Sequence, residues 1–352
     1  MRYVLTLLIL VISIFVVVNI TANLINKSQK TDNSAGEEEV IIKPQMFTNP
    51  LSIESIKQKK IEGSGIAIEE ELAAGNGYKR YIASYKSDGF KIYGLLTVPA
   101  ATPPKEGFPA IVFAHGYIPP EQYRTTERYV AYVDSLAREG YVVFKIDYRG
   151  HGDSEGSPEG AYFSPAYTVD TINAAASLKR LPYVNPDKIG AWGHSMAGMI
   201  ITRILVAKPE IFKSVVMWGG VVGSYEDIME EWWSKRRPGP TFAPSQREAN
   251  SNRPSRQLFI KQYGEPNDNN SFWNSISPKA YISNVVAPIA LHHGEQDETV
   301  PVALSRRFAE ELLKNKKTVE LFTYPGGDHD ISSPSFETAM SRTINFFDKY
   351  LK

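Results

Sequence analysis

Six short apolar runs limit what this chain can become: AIVFAHG (110–116), YVVFKIDY (141–148), KIGAWGHS (188–195), SVVMWGG (214–220), PIALHHG (288–294) and VELFTYP (319–325). Each is rich in Val, Ile, Leu or aromatics and ends in a Gly or Pro turn. Strands so uniformly apolar are buried on both faces, as in a parallel sheet; one-sided sheets alternate instead. Helical stretches separate the runs, over about 124–139, 168–180, 195–207, 302–314 and 335–350. Strand–helix alternation of this kind builds a doubly wound sheet. Upstream, YKRYIASY and FKIYGLLTVP flank the turn KSDG, a hairpin signal. The expectation is α/β: a mostly parallel, doubly wound, eight-stranded sheet with an antiparallel edge hairpin. Between 221 and 284 the alternation breaks, with SYEDIMEEWWSKRRPGP and GEPNDNNSFWNS. This insertion follows the sixth strand at the carboxyl-end side of the sheet. It is expected to cover a site there, although an ordinary elaboration of the fold is the alternative.

The 352 residues carry 39 Lys+Arg against 39 Asp+Glu, so the formal net charge is zero. A nucleic-acid partner calls for a basic surface, and none is expected here. The absence of cysteine excludes disulfides, thiolate metal sites and a cysteine nucleophile. At the N-terminus, VLTLLILVISIFVVVNI runs uncharged behind Arg2 and extends through Leu24 and Ile25. That length suits a membrane-spanning signal anchor over residues 1–25, with a cleaved signal peptide as the alternative. Residues 26–50 are polar and read as a flexible tether, 51–79 as an N-terminal extension, and 80–352 as the globular domain. Arg2 on the inner side places that domain outside the cytoplasm, or free in the medium if the segment is cleaved. The oligomeric state is not legible.

In an open parallel sheet, ligands bind at the carboxyl ends of the strands. Ser195, in Gly193-His194-Ser195-Met196-Ala197, lies between a strand and a helix. A serine there is raised on a tight turn whose neighbours must be small; an N-cap serine is the bland alternative. A hydroxyl needs a base to become a nucleophile. Of six histidines, His194 adjoins Ser195 and is expected to point away from it. His115 and His151 sit in turns after the third and fourth strands, and His292 and His293 belong to the seventh. His329, in the Gly-rich loop after the last strand, is the candidate base. Asp297, just past the seventh strand, is the candidate to orient and charge-stabilise the imidazole. Its rivals are Glu295, Glu298, Asp328 and Asp330. The order along the chain is Ser195, Asp297, His329. An oxyanion needs backbone N–H donors, and the candidates are Met196 and Tyr117. His115-Gly116 is expected to let the chain turn its amides inward. Candidate pocket residues are Trp218, Trp232 and Trp233, although the last two read equally as packing within the insertion. Arg124 and Arg128 share a helical spacing and read as a solvated face or a clamp at the pocket mouth. His292 and His293, consecutive on a strand, face opposite sides and cannot share one ion, so no metal is expected.

FAHGY, DYRGHGDSEG, GHSMAG, SPKAYI…PIALHHGEQDETVP and VELFTYPGGDHD together resemble the catalytic domain of prolyl-oligopeptidase-like serine hydrolases, within the α/β-hydrolase fold. The resemblance covers roughly residues 80–350. It implies a Ser–Asp–His triad, an acyl-enzyme and no cofactor. Two departures stand out. Ala197 replaces the usual Gly of the elbow, and the stretch between tether and first strand pair is too short for the gating β-propeller of proline-specific peptidases. The expectation is therefore a serine hydrolase of carboxylic esters acting on a small-molecule ester. The alternatives are a peptidase of prolyl-oligopeptidase-like type acting on a short peptide, and a catalytically silent binding protein on the same scaffold.

Overall fold

The computed structural model describes residues 49–235, 256–332 and 334–352. Among them, nine strands form one sheet: Ala67–Gly75 (β1), Tyr78–Ser87 (β2), Phe90–Pro99 (β3), Phe108–Ala114 (β4), Val142–Ile146 (β5), Val184–His194 (β6), Ser214–Trp218 (β7), Ile289–Gly294 (β8) and Val319–Tyr324 (β9). Their order is β1-β2-β3-β5-β4-β6-β7-β8-β9. The first three strands and the β3–β5 pair run antiparallel, and every pair from β5 to β9 is parallel. Asp88 and Gly89, both at positive φ, make the two-residue turn between β2 and β3. A turn of that hand matches the twist of the flanking strands.

The sheet has one strand more than the sequence reading expects. β1 lies within the stretch read as an N-terminal extension, and nearly all its side chains are exposed. AIEEELAAG carries no buried alternation to read; its pairing partner is the open main-chain edge of β2.

Helices cover both faces. On one lie Ile53–Gln58 (α1), Ala166–Leu178 (α3), Ala197–Ala207 (α4) and Val302–Lys314 (α8); on the other lie Val130–Arg138 (α2) and Phe336–Leu351 (α9). Strand residues divide accordingly. Val112, Phe144, Ala191 and Leu291 face the first layer, and Ile111, Phe113, Val143 and Trp192 the second. Each buried Val, Ile, Leu or Phe side chain among them contributes about 1.5–3 kcal/mol. α2 starts at Val130 and not near residue 124, because Arg128 and Tyr129 both have φ of 55° and cannot belong to a right-handed helix. The turn before it places Arg124 and Arg128 outside any helical face.

The insertion contains Tyr225–Ile228 (α5), running directly into a π-turn at Met229–Trp233, then Arg256–Tyr263 (α6), Ser271–Ile276 (α7) and a 3-10 turn at Pro278–Asn284. Ser224 and Asp227 form a capping box at the start of α5. Asp227 also bridges Lys279 and Arg307, which ties the insertion to α8. The expected anchor at residues 1–25, and nearly all of the tether, lie outside the described residues. Among those described, no helix is long and apolar enough to cross a membrane.

Candidate active site

Ser195 has φ of 55°, a left-handed conformation that L-residues avoid. The turn is pinned on both sides. Ser195 N–H donates to the Trp218 carbonyl at 3.0 Å, and its own carbonyl accepts from Gly198 and Val221, each at 2.9 Å. The helix cap of α4 is Met196, with no side-chain cap bond, so Ser195 is not an N-cap serine. Ala197 is already the first helical residue, where a methyl group is at home; the elbow accommodates the departure from Gly there.

His329 Nδ1 lies 2.7 Å from Asp297 Oδ2. A carboxylate only accepts, so Nδ1 is the donor in this bond, and in the neutral ring Nε2 is the nitrogen left to accept. The Asp297 side chain is buried. Its Oδ1 accepts from the Thr299 and Val300 amides at 2.8 Å each, and His293 Nε2 lies 3.2 Å from Oδ2. Burial raises the affinity of this carboxyl for a proton. The hydrogen bonds from His293 and His329, the charge of His329 and the Val300 amide outweigh it and hold Asp297 well below the usual carboxylate range. Room for the pair comes from Gly219, at the end of β7. A Cβ there would sit 3.2 Å from His329 Nδ1 and 3.3 Å from Asp297 Oδ2.

Ser195 and His329 line one cavity of about 720 Å3. Met196 and Tyr117 line it too, as does Trp232 from the insertion's π-turn. Single π-turns within helices are frequent at functional sites. Gly116 is needed for space and not for an unusual backbone: a Cβ would come within 2.8 Å of the Tyr129 hydroxyl and 3.1 Å of Ser195 Cβ. The remaining tryptophans sit elsewhere. Trp218 is fully buried, donates to Thr343 Oγ1 at 3.0 Å and stacks on His292. It is a core residue beneath α9, because the strand alternation turns its side chain to the far layer. Trp233 packs on Phe163 and Tyr162, with the Arg256 guanidinium over its ring. His292 and His293 do face opposite sides of β8, toward Tyr324 and Ser305 respectively.

Sequence reasoning gave no role here to His194, Tyr129 or Tyr132, and Arg128, read as a solvated face or a clamp at the pocket mouth, also lines the cavity. His194 faces the cavity, and its ring centroid lies 4.5 Å from that of His329. Tyr129 and Tyr132, which fall within the stretch read as helical over about 124–139, line the same space. The signal available was the i, i+3 tyrosine pair, but nothing local shows that its helix begins at the cavity floor.

Comparison with known proteins agrees with this architecture. The chain is 26% identical over 275 residues to "Uncharacterized peptidase YuxL" of Bacillus subtilis, which covers 75% of this chain but only 38% of that relative. It is 26% identical over 253 residues to "Uncharacterized peptidase YtmA" of the same organism, covering 71% of this chain and 85% of the relative. The acetyl xylan esterase from Paenibacillus sp. R4 superposes with a TM-score of 0.59 at 18% identity, covering 85% of this chain and 92% of that one, a likeness of fold alone. The alpha/beta hydrolase family model matches residues 111–343, and with this sheet order the chain belongs to the alpha/beta hydrolase family.

Proposed function

We propose that this protein is a serine hydrolase that cleaves carboxylic esters through an acyl-enzyme. One observation carries the reading: a serine held on a left-handed turn opens onto the same cavity as an imidazole whose Nδ1 is bonded to a buried carboxylate. In this reading His329 Nε2 takes the Ser195 proton as Oγ bonds to the ester carbonyl carbon. The negative charge that develops on the carbonyl oxygen is held by the amides of Met196 and Tyr117. The tetrahedral species collapses, the ester C–O bond breaks, and the leaving alkoxide takes the proton from His329. Water then repeats the sequence on the acyl-serine, which releases the acid and restores the hydroxyl. Asp297 stays ionised throughout and stabilises the imidazolium.

A peptidase reading has its own support, since the two Bacillus subtilis relatives carry that word in their names. Alcohols leave more easily than amines, and this favours ester turnover. The deciding experiment compares short p-nitrophenyl esters with Pro- and Ala-terminated peptide amides and labels the protein with a fluorophosphonate. We expect ester turnover to dominate and labelling to vanish in Ser195→Ala. Peptide turnover far above ester turnover reverses the ranking. Well-folded protein that never labels points to a silent binding scaffold. Residues 1–25 complete the proposal as a signal anchor that holds the domain outside the cytoplasm. Protease shaving of intact cells checks it, and protection of the domain overturns it.

A further inference from the structure

The oxyanion loop, the nucleophile turn and the His329 loop come from three distant parts of the chain, and one line of hydrogen bonds joins them. Gly116 N–H donates to the Tyr129 hydroxyl at 3.0 Å. That hydroxyl lies 2.8 Å from His194 Nδ1, and His194 Nε2 lies 3.0 Å from the His329 carbonyl. The directions follow from the ends. A carbonyl only accepts, so His194 Nε2 carries the proton; in a neutral ring Nδ1 then accepts, and Tyr129 must donate to it. Burial, followed by the charge of neighbouring His329, pushes the His194 ring down to about 3, so neutrality holds across the physiological range. A second tie runs from the same helix start: the Tyr132 hydroxyl donates to the Asp330 carbonyl at 2.8 Å.

The rings that make these bonds are themselves held. Tyr129 packs edge-on to Phe113 and Tyr132, and Tyr132 packs on Trp192 and Trp218. The backbone is forced at both ends of the network. Arg128 and Tyr129 are consecutive left-handed residues, and Ile331, two residues after His329, is a β-branched residue with φ of 49°. Such conformations persist only where the surroundings over-determine them. Here, what they deliver is the Tyr129 hydroxyl to His194 and the His329 carbonyl to the same ring.

We propose that Tyr129 and His194 are positioning residues: together they lock the oxyanion loop at Gly116 and the His329 loop against the Ser195 turn. The inference rests on the serine-hydrolase reading. It concerns kcat, because a displacement of about 1 Å in a reacting group costs about a hundredfold in rate while leaving ground-state binding largely intact.

The test uses the full-length protein and a p-nitrophenyl ester. Tyr129→Phe is expected to lower kcat by about 10–100-fold with KM changed less than about threefold. His194→Gln keeps a donor for the His329 carbonyl but leaves no acceptor at the Nδ1 position facing Tyr129, so it should lose a similar factor and less than His194→Ala. The Tyr129→Phe/His194→Gln double variant should be no slower than Tyr129→Phe alone, since the Tyr129–His194 link that His194→Gln breaks is already gone once the hydroxyl is removed. Unchanged kcat in folded Tyr129→Phe, a loss confined to KM, or multiplicative losses in the double variant overturn the proposal. Should Tyr129→Phe not fold, 15N NMR of the wild type decides: the network requires a neutral His194 protonated at Nε2, and the Nδ1–H tautomer refutes it. Wild-type protein that neither labels with fluorophosphonate nor turns over ester removes the hydrolase reading itself, and this inference with it.

Discussion

Two buried aspartates sit just past the carboxyl ends of parallel strands, and the fold treats them oppositely. Asp297 follows β8 and Asp147 follows β5. Asp297 is surrounded by backbone amides and imidazoles, which together hold it ionised. Asp147 is fully buried and receives hydroxyls, from Tyr123 at 2.7 Å and Thr125 at 2.6 Å. Burial pushes its carboxyl up to about 6, against the pull of Thr125, the Lys145 ammonium and Tyr123. A nearby glycine also matches in each case. Gly219 and Gly152 are both left-handed, and a methyl group on either would sit 3.3 Å from a carboxylate oxygen. The lesson is that donors and depth act together: amides and imidazoles favour the charged form of Asp297, while complete burial outweighs the hydroxyls and the ammonium at Asp147. Of the two, Asp297 is the one suited to hold an imidazolium.

The largest effect expected from this contrast is on Asp297→Asn. Replacing the acceptor with an amide should drop kcat/KM by about 10³–10⁴-fold, because the imidazole loses both its tautomer and its counter-charge. Ester turnover under first-order conditions measures it, and a loss under tenfold would break the contrast. The variant also has a pH signature. A carboxyl held below its ordinary value near 4 contributes stability that is present above that value and lost as pH falls through the lower folded value. The stability gap between wild type and Asp297→Asn in urea should therefore be full at neutral pH and close only in strong acid.

Next in size is the paired glycine test. Gly219→Ala and Gly152→Ala should each destabilise by about 1–2 kcal/mol, the cost of a left-handed L-residue. Gly219→Ala alone should lower kcat, by about a hundredfold, since it crowds His329 as well as Asp297. Equal activity in the two variants would erase the distinction between the two aspartates.

The smallest effect is on Asp147→Asn, expected to leave kcat/KM within about threefold. Its signature lies in stability against pH. With a folded value near 6 above the ordinary 4, the folded chain keeps a proton that the unfolded chain has released, so stability falls as pH rises across that window. Asp147→Asn should flatten that slope, which denaturant midpoints at pH 4.5 and 7 would measure.

Much of this molecule is legible in its sequence. Continuous apolar runs specify burial on both faces, hence the parallel sheet, and residues just past such runs must lie at one edge of it. That is how Ser195, Asp297 and His329 were drawn to the same end of the sheet. Local chemistry also carried the Asp88–Gly89 turn. What the sequence left open depends on groups brought in from elsewhere. β1 pairs only because β2 has a free edge. Trp218 faces the core and Trp232 the cavity because strand pleat and a π-turn aim them, and Gly116 is small because Tyr129 and Ser195 crowd it. The neutral His194 between Tyr129 and His329 arises from groups far away along the chain, and the opposite charge preferences of Asp297 and Asp147 from how completely each is buried and which groups the fold packs around it. Hydrophobic periodicity is a local property that a sequence displays directly; hydrogen-bond supply inside a low-dielectric core is a property of the assembled tertiary structure alone.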